Sequence, residues 1–235
     1  MRDAARGSRF RVDSAVMRTY AITGPNRGIG LELARALTAR GDAVLGIARQ
    51  ASPELHATGA RIETGVDVTD PNAIDALAAR LRGTRIDVLI NNAGILERDT
   101  LSNLDPGSIE RQLQTNAVGP LLMTRALLPL VPDEGKVVVI TSRMGSIGDN
   151  GSGGYYGYRM SKAAVNAAFV SLARDLAPRK IHVGIFHPGM VATEMTGNHG
   201  IPAAEAARGL LSRIDELDAS RSGKFFHQSG EALPW

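Results

Sequence analysis

The stretch Thr19-Tyr20-Ala21-Ile22-Thr23-Gly24-Pro25-Asn26-Arg27-Gly28-Ile29-Gly30 decides the fold. Its first five residues form a short apolar run of the kind that makes a buried strand, and the glycines that follow let the chain turn sharply out of it. Beyond the turn, Leu33, Ala34 and Leu37 recur at helical spacing and Gly41 supplies a C-cap, so a helix is expected over 29–40. A strand that passes through a Gly-rich turn into a helix is the opening unit of an open α/β sheet.

Working outward, the same alternation continues. Strands are expected over 43–48, 61–66, 87–91, 136–141, 181–187 and 224–227. Helices are expected over 71–81, 108–130, 155–176 and 203–217, with Pro71 suited to a first helical turn. The continuous β-branched run Val137-Val138-Val139-Ile140 suits a strand covered on both faces. The pattern therefore predicts one Rossmann-like, doubly wound α/β domain over 18–235, with a parallel sheet of about seven strands and helices on both faces. The chain of 235 residues has room for one sizeable core and shows neither an internal repeat nor a dividing linker.

Composition excludes several function classes. The chain has no cysteine, so disulfides, thiolate chemistry and Cys-based zinc sites are ruled out, and a reducing cytoplasm fits. His56, His182, His187, His199 and His227 show no metal-ligand spacing, so no metal is expected. Much of the net charge of +3 comes from Arg2, Arg6, Arg9, Arg11 and Arg18; the remainder is nearly balanced and carries no footprint for nucleic acid. No apolar run approaches the roughly 18 residues of a membrane span. Residues 1–17 read as a disordered extension, with an Arg-rich targeting leader as the alternative and Met17 as an alternative start.

The glycine turn is also where chemistry enters. It lets the backbone approach a pyrophosphate while the following helix presents free N–H groups to it. The spacing is G-x-x-x-G-x-G, and Pro25 within it has no N–H to donate. After the second strand stands Arg49, with no carboxylate before Glu54, and Arg27 adds a second guanidinium. Two cations and no acid favour NADP(H) over NAD(H); the alternative is that both arginines are solvated surface residues. Asp67 suits either the adenine amino group or a cap on the helix at Pro71.

Tyr158 and Lys162 are four residues apart on a predicted helix and so share a face. A phenol of pKa about 10 needs a nearby positive charge before it can exchange protons near neutrality. Asn91-Asn92-Ala93-Gly94, Thr141-Ser142 and Pro188-Gly189 end three strands, at the edge of an open sheet where ligands bind.

Taken together, these motifs resemble the short-chain dehydrogenase/reductase family from about Thr19 to the C-terminus. The resemblance rests on the glycine turn, Asn91–Gly94, Asn116, Ser142, Tyr158-x-x-x-Lys162 and Pro188-Gly189 with Thr193. Ser142 to Tyr158, and the ending Leu233-Pro234-Trp235, look like the C-factor-like and sniffer-like carbonyl reductases. The resemblance implies that Tyr158 is the acid–base group, that Lys162 lowers its pKa and binds ribose, and that Ser142 orients the substrate oxygen. Asn116 would hold a water linking Lys162 to solvent. Cofactor contacts are expected from Gly24, Asn26, Arg27, Gly28, Ile29, Gly30, Arg49, Asp67, Val68, Asn92, Ala93 and Gly94, and from Tyr158, Lys162, Pro188, Gly189, Val191 and Thr193. Met144, Tyr155 and Met190 are expected to meet a small carbonyl or alcohol substrate.

Ser142 precedes Tyr158 by 16 residues, longer than in the family's main branch, and Ser146 fits the shorter spacing. Ser142 is preferred because it ends the strand and the Gly151-Ser152-Gly153-Gly154 segment can absorb the excess. Tyr155 and Tyr156 lack a lysine four residues on and are read as pocket lining. Met190 and Met195 suit either a flexible lid or core packing, and His187 either a structural or a substrate-facing role. The segment from Met195 to about Ala204 is short, which suggests an open or shallow pocket. A homodimer or homotetramer through the helices at 108–130 and 155–176 is expected. Two other functions remain open: a dinucleotide-binding regulator with little turnover, and a non-redox epimerase or dehydratase.

Overall fold

The computed structural model describes residues 17–235. The N-terminal extension expected over 1–17 therefore lies outside the described residues, apart from Met17. A parallel sheet of seven strands runs in the order 61–63, 43–47, 19–23, 88–91, 136–140, 182–187 and 225–227. Its strands are β1 (Thr19–Thr23), β2 (Ala43–Ile47), β3 (Arg61–Glu63), β4 (Val88–Asn91), β5 (Lys136–Ile140), β6 (His182–His187) and β9 (Phe225–His227). A two-stranded parallel ladder, β7 (Val191–Ala192) with β8 (Ile201–Pro202), stands apart. The helices are α1 (Gly28–Ala39), α2 (Pro53–His56), α3 (Pro71–Arg80), α4 (Pro106–Leu113), α5 (Gly119–Leu127), α6 (Tyr156–Leu176) and α7 (Ala203–Asp215).

Alternation along the strands divides the core into two layers. Tyr20, Ile22, Val138, Ile140 and Phe186 pack with Leu33 and Leu37 of α1 and Leu210 and Ile214 of α7. Ala21, Leu89, Val137, Val139 and Ile185 face the other way, onto Ile74 of α3, Met123 and Leu127 of α5, and Val165 and Phe169 of α6. β1 pairs with β2 on one side and β4 on the other, so strand order reverses between them. That reversal opens a crevice at the carboxyl edge.

Besides the β7–β8 ladder, which was not expected, the structure departs from the sequence expectations in four places. The strand expected over 61–66 stops at Glu63, because Gly65 turns the chain (φ 75°) and Gly65 and Val66 donate to the Arg49 and Ala48 carbonyls around the end of β2. The helix expected over 108–130 is broken: Gln114–Val118 form a wide π-turn in which the Gly119 N–H reaches the Gln114 carbonyl. Pro120 explains the break, since it has no N–H for the carbonyl of Asn116, four residues earlier. The short helix α2 was not expected; Ser52 caps it and Pro53 opens it. Asp67 does not cap α3, because Asp70 accepts the Asn72 N–H there.

Candidate active site

The glycine turn is built around Asn92. Thr23 Oγ1 accepts from the Asn92 and Ala93 N–H groups, and Asn92 Nδ2 donates to the Thr23 and Gly24 carbonyls. A methyl carbon added at Gly30 would lie 2.5 Å from both Asn92 Nδ2 and the Gly24 carbonyl, so only glycine fits. Pro25 has its own use: its ring covers Gly46 of β2. Ile29 packs on the core beneath the turn.

The turn fits a bound anion. Ser52, Asp70 and Asp105 cap α2, α3 and α4 with side-chain oxygens; α1, α5 and α7 have no side-chain cap, and of these α1 alone follows the glycine turn. The first N–H groups of α1 have no intrahelical acceptor and are left for a ligand. Thr193 closes the far side, with its methyl 3.1 Å from where a carbon on Gly28 would stand. Asn26 is not turned toward a ligand by its amide. Its Oδ1 accepts from Ser52 N–H at 3.0 Å and its Nδ2 donates to the Gln50 carbonyl, pinning the loop that follows Arg49.

The two arginines are exposed and already paired. Arg27 bonds Glu194 across the crevice, and Arg49 lies 3.9 Å from Asp67. The Asp67 carboxyl is held below its ordinary range by the N–H and hydroxyl of Thr69, with Arg49 adding to the effect. The next residue, Val68, presses its carbonyl against Gly119, where an added carbon would stand 2.7 Å away.

Across the crevice, the expected catalytic groups converge. Tyr158 and Lys162 are buried on α6, and Ser142 is buried at the end of β5. Lys162 Nζ donates to the Ile140 carbonyl at 3.0 Å and lies 5.6 Å from the Tyr158 ring centre. Burial pushes the phenol up to about 12, opposed by the Ser142 hydroxyl beside it. Burial also pushes the ammonium down to about 8. Burial is the dominant influence on the phenol.

Of the two candidate serines, Ser142 faces the phenol. Its Oγ accepts the Met144 N–H at 3.1 Å, which leaves its O–H proton free to donate. Ser146 instead accepts from Asp149 N–H. The Asn116 amide is held at three points: Oδ1 accepts from Ile95 N–H, and Nδ2 donates to the Ile95 carbonyl and to Ser161 Oγ. Gly94 passes close by, an added carbon there standing 3.1 Å from Asn116 Oδ1 and 3.7 Å from Lys162 Nζ. Pro120 has no N–H to offer the Asn116 backbone carbonyl, four residues earlier.

Asp99 went unnoticed in the sequence. It is buried, and its carboxylate accepts the N–H groups of Tyr156 and Gly157 while its carbonyl accepts that of Tyr155. It thereby caps α6, whose preceding residue Tyr155 adopts a left-handed conformation (φ 53°, ψ 43°) that is uncommon for tyrosine. Nothing in the spacing of a lone loop aspartate advertises this.

The segment after β6 is a self-bonded loop. Pro188 is buried and Gly189 turns the chain with φ 85°, an added carbon meeting His227 Nε2 at 3.2 Å. Val191 is buried, its carbonyl accepts the Thr196 hydroxyl, and the β7–β8 ladder closes the loop. Met190 is 66% exposed, so it is not core packing. His187 lies beside His227, and burial together with His227, Arg143 and Lys162 lowers it to about 3, which keeps it neutral. A cavity of about 400 Å³ lined by Val170, Arg174, His182 and Gly223 lies at the opposite edge of the sheet and contains none of these groups. Among the described residues there is no cluster of metal-ligating side chains, and no helix is long and apolar enough to cross a membrane.

Comparison with known proteins agrees with this geometry. The short chain dehydrogenase family model matches residues 18–202, and the chain belongs to that family of oxidoreductases. It is 40% identical, over 93% of its length and all of the relative's, to 1-hydroxy-2-glutathionyl-2-methyl-3-butene dehydrogenase of Rhodococcus sp. (strain AD45). Its fold matches an NADP-bound short-chain dehydrogenase/reductase of Burkholderia multivorans (TM-score 0.86, 32% identity, 93% of this chain and 100% of that one). It equally matches the carbonyl reductase Sniffer of D. melanogaster (TM-score 0.85, 28% identity, 93% and 100%). The chain thus falls in the carbonyl reductase branch of the family.

Proposed function

We propose that this protein transfers a hydride between NADP(H) and a ketone, aldehyde, quinone or the corresponding alcohol. The observation that carries the reading is the meeting of three buried groups, Ser142, Tyr158 and Lys162, across one crevice from the uncapped N-terminus of α1. The bound dinucleotide supplies the hydride or accepts it. Gly24, Gly28, Gly30, Asn92, Ala93, Gly94 and Thr193 form its cradle, and Val68, Pro188, Gly189 and Val191 flank it.

In reduction, the Ser142 O–H donates to the carbonyl oxygen and holds it at the phenol. Tyr158 then gives that oxygen its proton. A phenol held near 12 is a poor donor, so the positive charge that lowers it must be completed within the assembled site, with Lys162 contributing its share. Lys162 also binds the nicotinamide ribose. A water on the Asn116 carbonyl returns the proton from solvent. In oxidation the same steps run backward. Met144, Tyr155 and Met190 meet the rest of the substrate.

Arg27 and Arg49 favour the 2′-phosphate of NADP, exchanging their exposed carboxylate partners for it. A relative named as a dehydrogenase of a hydroxylated compound and a neighbour named as a carbonyl reductase support an alcohol or carbonyl centre. We place the activity in the cytoplasm, consistent with the absence of cysteine. A homodimer or homotetramer paired through α4, α5 and α6 is supported by exposed Val118, Leu121 and Met160.

The test is NADPH oxidation with a panel of ketones, aldehydes and quinones. Turnover with at least one of them is expected. Tight NADPH binding with no turnover would sink the enzyme reading in favour of a dinucleotide-binding regulator. A product formed without net NADPH consumption would point to an epimerase or dehydratase.

A further inference from the structure

The turn that carries Ser142 is not held by its own neighbours alone. Ser142 opens a short helical turn, Arg143–Gly145, by accepting the Met144 N–H. The next side chain, Arg143, leaves the turn toward the C-terminal segment, where its Nη2 lies 2.9 Å from each carboxylate oxygen of Glu231. Its Nε is buried, finds no hydrogen bond, and stands 3.6 Å from Asp149 Oδ2. A second tether lies a few residues on, where Gly148 N–H donates to the Trp235 carbonyl at 2.8 Å.

The C-terminal segment is itself rigidly fixed. Phe226 bridges Ala232 in antiparallel fashion, and Leu233 N–H donates to the Phe225 carbonyl. His227 N–H donates to the Glu231 carbonyl, and Gln228 N–H to that of His187. Leu233 is buried, and the Trp235 ring stacks on Phe225 with centres 5.5 Å apart and planes 19° apart. Glu231 therefore projects from an anchored hairpin onto the residue adjacent to Ser142.

We infer that Glu231 is a positioning residue for the reaction: through Arg143 it fixes the pitch of the Ser142 turn, so the C-terminal hairpin sets where the substrate oxygen is held. The inference rests on the hydride-transfer reading above. The Arg143–Glu231 pair is about half exposed, so it contributes little to stability. Its leverage is geometric, because a small misplacement of a group that orients the reacting atoms is costly in rate.

The experiment compares Glu231→Gln in the wild-type and Ser142→Ala backgrounds, reading kcat, KM, NADPH Kd and Tm. In the wild-type background kcat is expected to fall about tenfold, with NADPH Kd within about twofold and Tm unmoved. In the Ser142→Ala background the same substitution is expected to cost nothing further, since the group it positions is gone. Arg143→Lys, which keeps the charge but not the planar fork, is expected to lower kcat in the same direction and guards against misfolding of the first variant. An unchanged kcat, or a loss of equal size in both backgrounds, would overturn the inference while leaving hydride transfer intact. A wild-type chain that oxidises no NADPH with any carbonyl compound would overturn both.

Discussion

The two walls of the crevice are built on opposite principles. On one wall, Ser142, Tyr158 and Lys162 are buried and packed from several elements, with Asp99, Asn116 and the Ile140 carbonyl fixing their surroundings. On the other, Arg27 and Arg49 stand with their side chains about four-fifths exposed, each facing a carboxylate. A buried group placed by several hydrogen bonds has one position, and removing it is felt in full. An exposed ion pair contributes about 0–1 kcal/mol and exchanges partners readily. The wall proposed to perform the chemistry is over-determined, and the wall proposed to read the cofactor's phosphate is adjustable.

The sharpest test of that contrast is Tyr158→Phe. It is expected to lower kcat by about 10³-fold or more while NADPH Kd, measured by fluorescence titration, moves by less than about threefold. Comparable losses in both quantities would mean that the buried wall also carries the binding energy, and the contrast would fail.

Next comes Lys162→Met, read through stability. Burial holds the folded Lys162 at about 8 against an ordinary 10.5, so between those values the unfolded chain binds more protons. The wild-type protein without cofactor should gain stability as pH rises through that window, and below it the cost of burying the charge is present in full. Lys162→Met removes the slope and is more stable than the wild type at pH about 7. Urea unfolding at a series of pH values checks this, and equal slopes would show that Lys162 is well solvated.

On the exposed wall the effects shrink. Arg49→Asp is expected to shift the NADPH-to-NADH preference by roughly tenfold toward NADH, the scale of one lost charge-assisted hydrogen bond. Unchanged selectivity would reduce Arg49 to a surface residue. Glu194→Gln frees Arg27 and should tighten NADPH binding by about two- to fivefold, with less effect on NADH. Weaker binding of both dinucleotides would instead make the Arg27–Glu194 pair a clasp over the cofactor.

The contrast also explains what the sequence could convey. The β1–turn–α1 unit was legible because glycine spacing and helical periodicity are local. Tyr158 and Lys162 were legible because four residues on a helix fix a shared face. Ser142 could be preferred over Ser146 by its place at the strand end and by the glycine-rich segment that absorbs the longer spacing. Asp99 escaped because it acts 57 residues away on Tyr156, and no local pattern encodes a contact across that distance. The π-turn escaped although Pro120 was in view, because apolar periodicity continued on either side of it. The carboxylate partners of Arg27 and Arg49 come from other segments, so the two arginines looked unopposed.

Asp99 also bears on the loop between β5 and α6. The first turn of α6 is anchored from the segment after β4, so the chain between Ser142 and Tyr155 does not align the helix alone. A spacing of 16 residues therefore still brings serine and tyrosine together. The start of α6 is thus fixed twice over, by Asp99 from outside the loop and by Arg159, which reaches back to Ser152 and Gly154 of the loop itself.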